Sequence, residues 1–296
     1  MTFRKTLFVI ICLSTSIIAS PIYAKTTHFY LKGTLSKHWK GKLKLDAGKA
    51  RTNKQFKEIY LKYKSRNGMN VTIGKINEPF SLELMSGSSR NRPALEPAII
   101  KDIFKPSKRY GLMLSRKTGK VNLASGIYAD QTNNYALTSR VTYTPFKTKN
   151  KLLHLGLACS IRDNQNFLGL EAAAAFGPLL FQSEYMGAAI NSQINNSYYL
   201  QASYFLTGES RSYRSGKFLN SLKPFSKKGA MELVARLNKM DDNDKQVQIR
   251  NTTLGLNYYF NSKFSLSAHY LMNDSVTTDD SIDNADIVSL NIKYKY

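Results

Sequence analysis

The sequence predicts an all-β fold, a transmembrane antiparallel β-barrel of 14–16 strands with one long inward-folded constriction loop. Three observations predict it. After residue 24, apolar and polar residues alternate with period two over most of the chain. Short turn signals and longer polar stretches separate these runs on alternate connections. Tyr and Phe gather at the run ends, and the last residue, Tyr296, falls on the apolar face of the final run.

Composition sets the limits. The chain has 296 residues, with 43 Lys plus Arg against 20 Asp plus Glu, a formal charge of +23. A helical multi-span membrane protein is excluded, because it needs several apolar runs of about twenty residues. Aromatic residues make up 11% of the chain, too many for a disordered polypeptide. The two Cys residues exclude a disulfide scaffold and most Cys-based zinc sites. A mean hydropathy of -0.35 is compatible with a barrel, because half of each strand faces water.

Residues 1–24 read as a cleaved secretory signal. Arg4 and Lys5 form a basic start, Leu7 to Ile18 a short apolar stretch, and Ala24 a small residue before Lys25. Residues 25–296 then form the barrel. Cys159 alone remains in them, so no intramolecular disulfide is expected.

The strands follow in order. Trp39, Gly41, Leu43 and Leu45 alternate with Lys40, Lys42, Lys44 and Asp46. Similar runs cover 28–36, 55–65 and 69–76, and resume at 109–116, 120–129, 134–144, 151–162, 166–176, 179–187 and 197–207. The last four runs are 230–240, 249–260, 263–273 and 286–296; in the final one Val288, Leu290, Ile292, Tyr294 and Tyr296 oppose Ser289, Asn291, Lys293 and Lys295. On a strand the two sets point to opposite faces. Lys117-Thr118-Gly119, Phe176-Gly177-Pro178 and Asn261-Ser262-Lys263 read as tight hairpin connections. A soluble β-sandwich would alternate too, but it needs neither aromatic strand ends nor a secretory signal.

These runs number fifteen, and a barrel closed by antiparallel pairs needs an even count. Either one strand is unaccounted for, or one run lies outside the wall. A wall starting at 38–48 would close with fourteen.

Residues 77–108 break the period. They hold Pro79, Pro93, Pro97 and Pro106, a helix-compatible piece near Ala98 to Phe104, and many apolar residues, among them Phe80, Leu82, Leu84, Ile99, Ile100, Ile103 and Phe104. A connection this long and this apolar is expected to pack, by folding into the barrel and narrowing it. The alternative is packing against a neighbouring subunit.

The face opposite the apolar residues carries cations: Lys40, Lys42, Lys44, Lys62, Lys64, Arg140, Arg162, Arg236 and Lys293. Turned to lipid, each would cost up to about 2–4 kcal/mol near the midplane, so alternation turns them inward. Such a lumen concentrates anions. In the loop, Arg90, Arg92 and Lys101 are the candidate constriction cations. Glu58, Glu171, Glu184 and Glu232 share the polar face and are expected to pair with some of the cations, which makes those cations wall braces. His28, His38, His154 and His269 form no recognisable catalytic set, so no enzyme is expected, and neither cofactor nor metal. A secreted chain makes nucleic acid an improbable partner for the basic excess.

Several segments resemble the phosphate-selective porins of the O and P type. They are Ile73-Gly74-Lys75 with Glu78-Pro79-Phe80-Ser81-Leu82-Glu83, Arg109-Tyr110-Gly111-Leu112-Met113-Leu114-Ser115, Gly169-Leu170-Glu171-Ala172-Ala173, Gln182-Ser183-Glu184-Tyr185-Met186, Leu206-Thr207-Gly208-Glu209-Ser210-Arg211, Glu232-Leu233-Val234-Ala235-Arg236 and Leu254-Gly255-Leu256-Asn257-Tyr258-Tyr259. The resemblance implies a trimeric, sixteen-stranded bacterial outer-membrane channel with a basic lumen and an inward loop after Glu78-Pro79-Phe80. The chain departs from that pattern by its short length, its trimmed loops and the absence of a first upward strand after residue 24.

The expected function is passive diffusion of small anions such as phosphate, with a preference for phosphate. Outer-membrane lipid and lipopolysaccharide surround the barrel, which is expected as a homotrimer. The alternative is a shortened relative with weak or no selectivity, acting as a general porin or as a structural or surface protein.

Overall fold

The computed structural model describes residues 8–12, 14–18, 28–46, 56–87, 92–104, 108–129, 134–163, 165–219, 222–243, 246–277 and 285–294. In chain order the first strands are β1 (Phe8–Cys12), β2 (Ser14–Ile18), β3 (His28–Thr34), β4 (Trp39–Asp46), β5 (Phe56–Lys64) and β6 (Met69–Asn77). Two short helices follow, α1 (Leu82–Ser86) and α2 (Ile100–Phe104). The wall continues with β7 (Lys108–Thr118), β8 (Val121–Ala129), β9 (Tyr135–Tyr143), β10 (Lys151–Arg162), β11 (Gln165–Phe176), β12 (Leu179–Ile190) and β13 (Gln193–Phe205). A small hairpin, β14 (Tyr213–Arg214) and β15 (Lys217–Phe218), precedes β16 (Ala230–Asp242), β17 (Val247–Tyr259), β18 (Phe264–Thr277) and β19 (Ile287–Tyr294).

Every wall strand from β3 to β19 pairs antiparallel with the next one in sequence, and β13 pairs directly with β16 across the small hairpin. The fifteen runs expected from alternation are these strands. The remaining wall position is filled by residues expected to be a leader. β1 pairs antiparallel with β3, Phe8 opposite Lys32, and β2 pairs antiparallel with β19, Ile18 opposite Ser289. With β1 and β2 in place the sheet closes on itself through antiparallel pairs alone.

The fold is inside-out relative to a soluble protein. Leu123 is 53% exposed and Ile127 61%, whereas Thr138 and Ser160 are fully buried. Period two therefore sends Leu, Ile and Phe to lipid and Thr, Ser, Glu and Arg to the interior, as the cost of bare polar groups in hydrocarbon requires. Aromatic clusters mark the rim at the turn end: Trp39 lies 5.1 Å from Tyr63, and Phe260 stacks on Phe264 at 4.6 Å.

One connection differs from expectation. The runs read from the sequence stop at 187 and resume at 197. Instead β12 and β13 run on to a two-residue turn, Asn191-Ser192, with φ of 49° and 67°. Two successive left-handed residues match the twist of a hairpin. Backbone pairing carries these strands where side-chain pattern is weak.

The apolar core sits inside the barrel, under the inward loop. Phe80 and Phe104 stack at 4.1 Å, and Phe167 of β11 meets both edge-on. Ile100, Ile103, Met186 and Tyr199 belong to the same cluster. Each such side chain contributes roughly 1.5–3 kcal/mol by burial, enough to fix the loop against one side of the wall.

Candidate functional site

Two segments enter the lumen from opposite ends. The first, described over 78–87 and 92–104, follows β6 at the end that also carries the β4–β5 connection. The second, described over 206–219 and 222–229, follows β13 at the opposite end, where β7 turns into β8.

Carboxylates anchor the first segment. The backbone N–H groups of Leu82 and Glu83 donate to the two carboxylate oxygens of Glu184 on β12, at 2.8 and 2.7 Å. Ser81 caps α1, its hydroxyl accepting from the Leu84 N–H at 3.2 Å. Glu83 is fully buried; its Oε1 accepts from the Ala98 N–H at 3.1 Å and from Arg236 Nη2 at 3.0 Å, with Arg92 Nε at 3.5 Å. Glu78 accepts from Thr138 at 2.6 Å and from Arg162 at 3.0 Å, and lies 3.3 Å from Arg109. Asn257 donates to the Pro93 carbonyl at 2.8 Å, and the Leu95 N–H reaches His269 at 3.3 Å. The loop is thus sewn to β9, β10, β12, β16, β17 and β18.

The second segment is tied at its base by Arg211, which donates to Glu232 at 2.8 and 2.5 Å. Its tip is the β14–β15 hairpin, turned by Ser215 and Gly216 with φ of 49° and 77°, again a twist-matched pair. Arg140 clamps Glu171 with two bonds, Nε to Oε1 at 2.7 Å and Nη2 to Oε2 at 2.6 Å, and also donates to the Gly216 carbonyl at 2.8 Å. His154 bridges the Tyr213 hydroxyl at 2.6 Å and Glu171 at 3.1 Å. The two inward segments touch where the Phe218 N–H donates to the Ser86 hydroxyl at 3.2 Å.

The opposite wall is different in kind. On β4 and β5, Lys40 sits directly opposite Lys62, and Lys42 lies between Lys32 on β3 and Tyr60 on β5. Like charges placed opposite each other destabilise a sheet, so this arrangement depends on water or anions to screen it. Lys40 and Lys64 are exposed and Lys62 is half-buried. Glu58 is the carboxylate on this face, and Lys42 and Lys108 share it at 2.8 Å each. Lys217 of the hairpin reaches toward this wall from across the lumen. Its ammonium is pushed below the usual lysine value, first by burial, then by Lys42, Lys62 and Arg140, with Glu58 acting the other way.

The candidate cations therefore divide into two sets. Lys40, Lys42, Lys44, Lys62 and Lys64 share the inward face of β4 and β5, with Lys40 and Lys64 exposed and the other three half-buried. Arg140, Arg162 and Arg236 face inward but are buried beneath the inward segments, each against a glutamate. Arg92 is buried beside the same Glu83. Lys101 is partly exposed, 3.8 Å from Asp102. Lys293 faces inward opposite Ser265 on β18 and is buried. Arg90 lies outside the described residues. Sequence reasoning did not find Lys217 or Lys108. The signal for Lys217 was the Ser-Gly pair flanked by Tyr213 and Phe218, a hairpin cue; Lys108 sits at a strand start, where alternation has not yet set in.

The family profile described as phosphate-selective porin O and P matches residues 20–168 and 166–296. Porin O of Pseudomonas aeruginosa is 31% identical over 151 residues, which is 43% of this chain and 34% of that relative, so the match spans about a third of its length. The solved anion-selective porin from Comamonas acidovorans is 16% identical, with a TM-score of 0.64 over 99% of both chains. OmpT of Vibrio cholerae in a trimer form is 12% identical, with a TM-score of 0.65 over 99% of this chain and 100% of that one. These structures share the barrel fold of outer-membrane porins, and by its profile match over nearly the whole sequence the chain belongs to the phosphate-selective porin O and P family.

Proposed function

We propose that the protein is an outer-membrane channel for passive diffusion of small anions, phosphate among them. The observation that carries this reading is the lysine wall on β4 and β5, with Lys217 opposite. These side chains face a lumen bounded by low-dielectric walls, where their fields add and anions are concentrated. An anion moving along the wall meets successive ammonium groups about 6–7 Å apart, the repeat of alternate strand residues. Several weak sites of this kind allow entry and release. Lys42, Lys44, Lys40, Lys62 and Lys64 are the working residues. In this reading Arg140, Arg162 and Arg236 hold the inward segments in place. The barrel assembles as a homotrimer, as the trimeric relative does, and its outer face meets lipid and lipopolysaccharide.

A second reading has one observation in its favour: the two inward segments touch at Ser86 and Phe218. A barrel blocked by that contact would serve a structural or surface role. Planar-bilayer recording separates the two. A reversal potential of anion-selective sign in a salt gradient, shifted when phosphate replaces chloride, is the expected result. Folded protein that never conducts would favour the second reading.

A further inference from the structure

We infer that the outer wall of the barrel binds one anionic phospholipid of the periplasmic leaflet, with an acyl chain in a groove over β13 and β16 and the headgroup at Lys227 and Lys228. The site lies on the lipid side of the wall, so it is independent of what the lumen conducts.

Residue size makes the groove. Ala202 on β13 stands directly opposite Ala235 on β16, and the row continues to Phe181 on β12 and Leu254 on β17. Phe181 and Leu254 are each 49% exposed, on the lipid face. Two methyl groups between two large side chains leave a depression of about 610 Å³, with Leu200 and Leu237 also in its lining. That volume is within the range of roughly 300–1,000 Å³ found for ligand sites. The exposed lining is apolar, so hydrocarbon fills it.

The groove lies toward the end of the barrel that carries the β7–β8, β11–β12 and β17–β18 turns. Short turns mark the periplasmic end of an outer-membrane barrel. Ala235 is four residues from Met231 at this rim, about 13 Å along the strand. The groove therefore belongs to the periplasmic half of a hydrocarbon core about 30 Å thick.

A basic strap, residues 222–229, crosses the rim at the mouth of the groove. Its backbone is held at three points. The Phe225 N–H donates to Glu209 at 2.8 Å, the Lys228 N–H to the Ser226 hydroxyl at 3.0 Å, and the Tyr258 hydroxyl to the Lys228 carbonyl. Tyr258 follows Leu254 and Leu256 on the lipid face and stands opposite Met231, which places Lys228 at the lipid edge of the rim. Phe225 is 72% exposed. Lys223, Lys227 and Lys228 are exposed around it, without a carboxylate partner among the described residues. An exposed aromatic side chain suits the boundary between headgroups and hydrocarbon, and ammonium groups at that level draw anionic headgroups.

A second barrel is a poorer occupant. Its own periplasmic turns carry exposed Lys117, Lys120, Lys147 and Lys149, so two upright copies meeting here set cation against cation. An anionic lipid supplies the complementary charge.

The test is native mass spectrometry of protein extracted from outer membranes into detergent. Dioleoylphosphatidylglycerol and dioleoylphosphatidylcholine are titrated separately. The first phosphatidylglycerol on each subunit is expected to bind roughly tenfold more tightly than the first phosphatidylcholine. Lys227→Gln with Lys228→Gln should remove most of that margin and leave the gel mobility of the folded barrel unchanged. Ala202→Phe with Ala235→Phe fills the groove and should weaken the first molecule of both lipids.

Equal affinity for the two lipids in the wild type would overturn the inference, and that comparison stands even where a variant fails to fold. A margin that survives the lysine change in folded protein, or binding indifferent to the filled groove, overturns it as well. If the groove-filled variant instead separates an oligomer into single barrels, the groove is a subunit contact and the lipid site is refuted.

Discussion

Arg140 and Glu171 form a two-pronged ion pair inside the barrel, with both bonds under 2.8 Å, and the same guanidinium holds the carbonyl of Gly216. The pair thus links the wall to the inward hairpin.

Arg140→Gln leaves Glu171 buried without its main partner. Breaking one side of a buried pair costs about 3–5 kcal/mol. The expected outcome is a lower unfolding temperature in detergent, with the anion preference of the surviving channels nearly unchanged. Thermal unfolding followed by gel mobility, together with reversal potentials, reads both. A large loss of selectivity without loss of stability would make Arg140 a conduction residue.

Gly216 has a φ of 77°, and a Cβ added there would come within 3.0 Å of the Thr142 hydroxyl and 3.2 Å of Arg140. Left-handed backbone costs an ordinary residue about 1–2 kcal/mol. Gly216→Val should therefore lift the hairpin from the wall. Single-channel conductance rises, because a segment leaves the lumen, and anion preference falls, because Lys217 leaves with it. Unchanged conductance in the folded variant would mean that the hairpin does not narrow the pore.

Burial and the neighbouring cations hold Lys217 below the ordinary lysine value of 10.5. A depressed ammonium is charged at neutral pH and loses its proton earlier than its exposed neighbours as pH rises. Anion preference is expected to decline on the alkaline side before ordinary lysines titrate. Lys217→Gln should flatten that decline and lower the preference at neutral pH. A reversal potential in the wild type that stays constant through the alkaline range counts against Lys217 facing the ion path.

The expected leader and the closing strands are the same residues. With 8–18 present, β3 and β19 are both antiparallel to the inserted segment, so they run parallel to each other. Export should remove residues 1–24, as the basic, apolar and small-residue pattern predicts. Intact mass of protein extracted from outer membranes is expected to correspond to a start at Lys25, leaving β3 and β19 as neighbours. A full-length mass would make residues 8–18 a permanent part of the wall.

Much of this architecture is legible in the sequence. Alternation marks the fifteen strands because lipid on one side and water or buried charge on the other impose opposite demands on adjacent residues. The apolar content of 77–108 foretells a packed loop, and Phe80 and Phe104 do pack inside. What alternation does not reveal is which inward cations are paired. Arg236 and Glu83 are 153 positions apart and meet at 3.0 Å, and no local pattern encodes that meeting. On the strand pattern alone Arg236 and Lys62 look alike. The structure separates them: the described part of the loop buries Arg236 against Glu83, whereas Lys62 stays half-buried opposite Lys40. The inward hairpin was missed for a related reason: two residues per strand are too few for period two to register.

The central claim is that anions travel along the lysine wall and that the buried arginines are braces. The most direct test compares zero-current potentials of two variants in the same salt gradient, Lys40, Lys42, Lys62 and Lys64 changed together to Gln, and Arg140→Gln. Loss of most of the anion preference in the first and its retention in the second is the predicted result. An unchanged potential in the lysine variant, with the preference lost in Arg140→Gln, would contradict the account.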